Sequence, residues 1–175
     1  MSNALVHKRP APGDYADFYA HYVGLVEGTD IVSILMQAKA DQQSFFESLP
    51  AAAWQRRYEA GKWSVAEVVM HIMDAERIFA GRALRIGRGD QTPLPGFDQD
   101  DYVPNSNAAL RSADSILEEY LAIRESTIQL FRHFDSSMLD RRAVASGNEV
   151  SARALAFIIA GHEAHHIQVI RERYL

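Results

Sequence analysis

Near its C-terminus the chain reads His162-Glu163-Ala164-His165-His166. His162 and His166 are four residues apart, so on an α-helix their rings share one face, one turn from each other. At that spacing two imidazoles can reach a single metal ion. A third histidine, His71, falls in another helical segment well upstream. Three histidines converging from two helices make a metal site with at least one open position, which points to chemistry more than to structure. His165 is turned by about 100° from His166. It shares a face with Gly161, Gln168 and Glu172, and is expected behind the ligands or at the surface.

The pattern around these residues leaves two readings open. Leu155, Ile158 and Ile159, then Val169 and Ile170, form an apolar stripe on the last helix, and His162 and His166 fill its gap. An inward polar ring must find a partner, and a lone one ordinarily bonds a carbonyl or a carboxylate. A four-apart pair fits metal ligation as well as it fits two satisfied core residues. His7, His21 and His133 have no partner at helical spacing and read as surface. Asp74 and Glu76 are expected to pair with arginines such as Arg77. The letters also match the His-Glu-x-x-His of zinc proteases. That reading is set aside, because those enzymes take a third ligand downstream and only nine residues follow His166. A ferritin-like di-metal site needs a second Glu-x-x-His, and Val68 stands three places before His71.

The elements that must position these groups are helices. Ser64 and Glu67 form the Ser-x-x-Glu capping box, with Trp63 and Val68 placed as a hydrophobic staple. The helix they start carries His71 two turns in and runs to about Arg88, where Gly87 and Gly89 stop it. Other helices are expected from Asp30 to Ser48 with Asp30 as N-cap, from Asn107 or Ser112 to Phe134, and from Ser151 to Tyr174. A short extra helix is expected from Asp14 to Val23, after a loose lead-in over residues 1–13. Period-2 alternation is nearly absent, so β structure is minor. The fold class is therefore all-α, a four-helix bundle in a single domain over residues 1–175, with inward side chains building the site. The long connection from Gln91 to Asn107 is a candidate lid.

Bulk composition excludes several classes. The chain has 175 residues, 47% hydrophobic and 23% charged, ordinary for one globular domain. Its net charge is −5 without a basic run, which gives nucleic acid no electrostatic footprint. There is no cysteine, so disulfides, thiolate zinc sites and a protein thiol nucleophile are all excluded. No apolar run of about 18 residues could span a membrane and no signal-peptide core is visible, so the cytoplasm is the expected location.

Three segments in order carry a family resemblance. Gly61-Lys62-Trp63-Ser64 leads into His71-Ile72-Met73-Asp74-Ala75-Glu76-Arg77. Arg82-Ala83-Leu84-Arg85-Ile86-Gly87-Arg88-Gly89-Asp90 is followed by Pro93-Leu94-Pro95-Gly96-Phe97-Asp98. Gly161-His162-Glu163-Ala164-His165-His166-Ile167 closes the set. Together they resemble the DinB-like superfamily. The resemblance implies a four-helix bundle with a three-histidine site for a divalent metal, often nickel or zinc, whose ligands by position are His71, His162 and His166. It implies kinship with thiol-dependent enzymes such as bacillithiol transferases and the mycothiol-dependent maleylpyruvate isomerase, and a homodimer. The family name comes from DNA-damage induction and implies no DNA chemistry.

Three functions follow as expectations. The first is a metal-dependent transferase using a small-molecule thiol, which the chain cannot supply from cysteine. Glu163 is then a candidate acid/base or supporting residue. Arg82 and Arg85, spaced with Arg88 near a helix end, are candidate anchors for an anionic thiol or acid substrate, unless they only offset the helix dipole. The second is a non-catalytic metal-binding stress-response bundle. The third is a metal-dependent hydrolase acting on an ester or amide.

Overall fold

A computed structural model describes residues 8–175. Its helices are α1 (Ala20–Leu25), α2 (Ile31–Ser48), α3 (Val65–Gly87), α4 (Gln99–Tyr102), α5 (Ala113–Arg132), α6 (Ser136–Leu139) and α7 (Ala152–Arg173). Two strands, β1 (Arg142–Ala145) and β2 (Asn148–Ser151), pair antiparallel between α6 and α7. The four long helices, α2, α3, α5 and α7, make the bundle. No helix among the described residues is long and apolar enough to cross a membrane.

Each long helix begins at a side-chain cap that its sequence announces. Asp30, Ser64, Ser112 and Ser151 accept hydrogen bonds from the backbone N–H groups of Ser33, Glu67, Ser115 and Ala154. At α3 the box is reciprocal, for the Ser64 N–H donates to Glu67 Oε2 at 2.6 Å. Trp63 and Val68 belong to one apolar cluster beside that cap.

Side-chain pairs fix the helix directions. Arg111, just ahead of α5, meets Met70 near the start of α3, and Phe134, just past the end of α5, lies against Gly87 at the end of α3, so these two helices run parallel, tied midway by Arg77–Glu119 and Arg124–Glu76. Lys39 meets Glu125 while Phe46 packs on Tyr120, so α2 runs opposite to α5. Tyr174, at the end of α7, donates to the Trp63 carbonyl at the start of α3, so these two are antiparallel. A parallel pair of neighbours demands a long connection. Residues 88–112 supply it. They are docked against the body of the protein: Leu94 exchanges backbone bonds with Val144 and Ser146, and Phe97 packs on Phe79. The hairpin turns at Ser146 and Gly147, both with positive φ, a primed turn that suits a tight antiparallel pair.

The core is split. One apolar cluster uses Ala75, Phe79 and Ala83 of α3 with residues 154–160 of α7. The other uses Val65 to Met73 of α3 with Ile167 and Ile170 of α7. Between them runs a buried polar belt containing His71, Glu76, Arg124, His162 and Glu163.

His7 lies outside the described residues. Residues 8–13 form no helix or strand, yet they are held: Arg9 donates to the carbonyls of Val23 (2.8 Å), Gly28 (3.1 Å) and Val26, and lies over the Phe157 ring. The expected N-terminal helix divides into a 3-10 turn (Asp17–Tyr19) and α1.

Gly161 sets the position of α1. A Cβ built there would sit 1.9 Å from the Tyr22 carbonyl oxygen and 2.4 Å from its carbon. Both atoms are backbone, so no rotamer change relieves the clash. Gly161→Ala is expected to destabilise the protein by about 1–3 kcal/mol. Urea titration checks the midpoint, and hydrogen exchange should show lost protection in residues 20–25. Unchanged protection there would contradict the packing described.

Candidate metal centre

His71 enters from α3, and His162 and His166 from α7. Every pair of the three rings stacks edge-on, with centroids 4.8 Å apart for His71–His162, 4.8 Å for His71–His166 and 4.5 Å for His162–His166. One ring nitrogen from each lies within 4.8 Å of the others. His71 Nε2 and His162 Nε2 are 3.0 Å apart. Two nitrogens each about 2.0–2.1 Å from one ion stand about 2.8–3.4 Å apart, for bond angles between square and tetrahedral. The His71–His162 spacing and the all-imidazole donor set therefore suit a divalent ion of the zinc–nickel–copper group.

Burial keeps these rings neutral, the form that ligates. It pulls His71 down to about 4 and His166 down to about 3, and holds His162 well below the ordinary imidazole range. The neighbouring rings add to the effect on His162 and His166. Around the triad stand aromatic walls. Trp63 packs on His71 at 5.2 Å, Tyr22 on His162 at 5.3 Å and Phe79 on His162 at 6.1 Å. Tyr22 is delivered by α1, whose close approach Gly161 permits.

Glu163 points its bonds elsewhere. Its two oxygens accept from Arg124 Nη1 (2.9 Å), Arg124 Nη2 (2.8 Å) and the Tyr120 hydroxyl (2.8 Å). The other edge of the same guanidinium donates to both oxygens of Glu76, at 2.9 and 2.8 Å. All four side chains are buried. Burial raises the Glu163 pKa while Arg124 opposes the rise. Glu163, expected as an acid/base or supporting residue, has its carboxylate bound into a clamp that joins α3, α5 and α7. Glu76 likewise pairs with Arg124, whereas Asp74 faces Arg77 at 3.9 Å.

Arg82 and Arg85, expected either to anchor an anion or to offset the helix dipole, both have partners within the protein. Arg82 is buried and donates to the Pro95 carbonyl (2.7 Å) and Ser146 Oγ (2.9 Å), tying the long connection and the hairpin to α3. Arg85 pairs with Asp90 at 2.6 Å beside the helix end. Arg88 lies over Phe134.

A cleft of about 500 Å³ opens beside the triad and includes His165 and His166 in its lining, with Trp63, Lys62, Tyr58, Arg173 and others. Asp100 and Gln99 of the long connection form part of its wall. His165 sits at the rim, its Nδ1 3.4 Å from Nε2 of the exposed His21. His21 was expected to stand alone, because sequence spacing cannot show a contact between α1 and α7. Arg173 lies seven residues beyond His166, the same helix face, so that neighbour was readable. Tyr22 left no sequence signal.

Comparison with known proteins agrees with this architecture. Residues 34–170 match the DinB superfamily. A protein of Oceanobacillus iheyensis, provisionally named a metal-dependent hydrolase, is 28% identical over 120 residues, covering 66% of this chain and 67% of its own length. Among solved structures, YfiT from Bacillus subtilis is a four-helix bundle of unusual topology provisionally described as a metal-dependent hydrolase. It aligns with a TM-score of 0.68 at 15% identity, over 96% of this chain and 94% of its own. The mycothiol-dependent maleylpyruvate isomerase aligns at 0.65 with 8% identity, over 79% of this chain and 58% of that one. The DinB-like protein YjoA of B. subtilis aligns at 0.58 with 19% identity, over 81% and 86%.

Two outcomes follow from the site's electrostatics. Arg124→Met leaves two buried carboxylates facing each other, and is expected to cost about 3–5 kcal/mol of folding free energy. Adding Glu76→Gln and Glu163→Gln should return part of it in denaturant titrations. A single variant that unfolds with the parent would contradict the clamp. The second concerns acid. The folded state holds His71 and His166 far below the unfolded value of about 6.5. Below that pH the unfolded chain takes up protons that the fold refuses, so stability falls on acidification. With chelator present, the urea midpoint should drop from about pH 6.5 toward the folded values of about 4 and about 3. A flat midpoint between pH 7 and 5 would overturn it.

Proposed function

Since the chain belongs to the DinB superfamily, we propose that His71, His162 and His166 hold a divalent ion, zinc or nickel first among the candidates, and that the protein is a metal-dependent enzyme transferring a small-molecule thiol to an electrophile. Bound by three neutral imidazoles, such an ion supplies positive charge that lowers the pKa of a coordinated thiol or water. The observation that carries the reading is the donor set: three imidazoles converge, two of them buried and His166 partly so, and the adjacent carboxylate, Glu163, is bound away by Arg124 and so is not offered as a base to a bound water. The chain has no cysteine, so the thiol must come from outside, and the cleft beside His166 admits a small molecule. The fold shared with the mycothiol-dependent isomerase supports thiol use.

Within this arrangement the protein's own groups orient and exclude. Tyr22 and Phe79 pack against His162, and Trp63 stacks on His71 from the cleft wall. The Arg124 clamp fixes the rotation of α7 against α3, so the rings from both helices converge. A hydrolase is the second reading, favoured by the names given to the O. iheyensis protein and to YfiT.

One equivalent of divalent metal is expected per chain by elemental analysis, and His71→Ala, His162→Ala and His166→Ala should each lose most of it. Turnover of a generic electrophile should then require an added thiol, tested with bacillithiol, mycothiol, glutathione and coenzyme A. Thiol-independent ester or amide cleavage, with a rate rising near neutrality, would favour the hydrolase instead. A purified protein with no affinity for any divalent ion would end both readings.

A further inference from the structure

We infer that the cleft beside the triad takes a ligand bearing an anionic group, a carboxylate in the simplest case, and that Lys62 and Arg173 receive it. This rests on the proposed metal-dependent reading and adds the substrate class. The cleft joins these two cations to His166 in one continuous lining. Two basic side chains, Lys62 and Arg173, line it, and a third, Arg57, precedes Tyr58 of the lining but is used otherwise. Arg57 is spent on Glu67 at 2.7 Å, with a further bond to the Lys62 carbonyl. Neither Lys62 nor Arg173 has an ion-pair partner among the described residues.

Both are placed by the fold. Lys62 follows Gly61, whose φ of +80° turns the chain ahead of the α3 cap. Arg173 lies over the Tyr58 ring, 5.5 Å from its centroid, while Arg171 leaves the cleft for Phe45 at 4.7 Å. On a chain of net charge −5 an anion is repelled by the overall field, so two unpaired cations in one concavity create a local exception. Trp63 and Tyr58 add apolar surface for the body of the ligand. Asp100 is the one acid in the lining. It opposes an anion, so Asp100→Asn should tighten binding.

The experiment uses full-length protein loaded with cobalt(II) and two matched pairs of thiols. N-acetylcysteine is compared with N-acetylcysteine amide, and 6-mercaptohexanoate with 6-mercaptohexanol. Titration of the sulfur-to-metal absorption band gives each affinity. The carboxylate member of at least one pair should bind roughly five- to tenfold tighter at low salt, with the preference shrinking at about 0.5 M salt. In a Lys62→Met/Arg173→Met double variant the preference should vanish while the neutral thiols bind as before. Both residues are exposed, and circular dichroism verifies that the fold survives. Equal affinities within both pairs, or a preference that outlasts the double substitution, overturns the inference. If no thiol produces a band, the thiol reading fails by itself. Calorimetry with succinate then decides the anion site: binding to the parent but not to the double variant upholds it, and any other result overturns it.

Discussion

The structure depends on one guanidinium. Arg124 lies in the dry centre of the bundle and bonds all four oxygens of Glu76 and Glu163. Each carboxylate comes from a different helix, so a single side chain joins α3, α5 and α7 at one level. With both acids ionised the group carries a net negative charge, and burying it is costly unless every lone pair is met. Tyr120 meets one more. Apolar residues of the same volume would hold these helices together at less cost. What the ionic clamp adds is direction, because its paired bonds fail if a helix turns about its axis or slips. Glu163 is the neighbour of His162, and Glu76 is little more than a turn from His71. Fixing the acids therefore fixes the angle at which imidazoles from two helices face one another.

The belt also has an electrostatic logic. His71 and His162 are neutral and almost out of reach of water. Behind them sits the clamp of one guanidinium and two carboxylates, net negative with both acids ionised. In a medium of low dielectric this arrangement favours a dication at the triad over an extra proton on any ring, since a proton brings one charge and spends a lone pair needed for ligation. The same field would oppose an anionic group moving toward the triad, which is the setting in which the proposed role of Lys62 and Arg173 in the cleft beside His166 has its physical sense.

The readable and unreadable parts of this fold divide by sequence distance. Helix starts were legible because Asp30, Ser64, Ser112 and Ser151 act within three residues of themselves. The pairing of His162 with His166 was legible for the same reason, and their gap in the apolar stripe marked the inward face. The meeting with His71 came from the bundle scheme and from the family resemblance, since no local rule brings α3 against α7. Arg124 was silent: its partners lie 39 and 48 residues away, and within α5 it looks like any arginine on a polar face. The partners of Arg82 were equally illegible, because they belong to the connection and the hairpin, 13 and 64 residues away. The hairpin escaped because four-residue strands give too few alternations to show a period.

The polar belt breaks the apolar continuity of three long helices at one height. On α7 the apolar run stops at Ala160 and resumes at Ile167; on α5 it is broken at Arg124, between Ile123 and Ile128. A bundle selected for stability alone would fill that layer with leucine and valine, as the layers above and below it are filled. Local rules broken together, at a point where a cleft opens and a glycine admits a strapping helix, mark a place where stability has been given up for something else. The aromatic rings agree with that view. Tyr22 and Phe79 pack on His162, Trp63 packs on His71 from the cleft wall, and of the three triad rings His166 is the one in that cleft's lining. Apolar rings on one side and an open cleft on the other give the three imidazoles two different surroundings, which a layer filled for packing alone would not need.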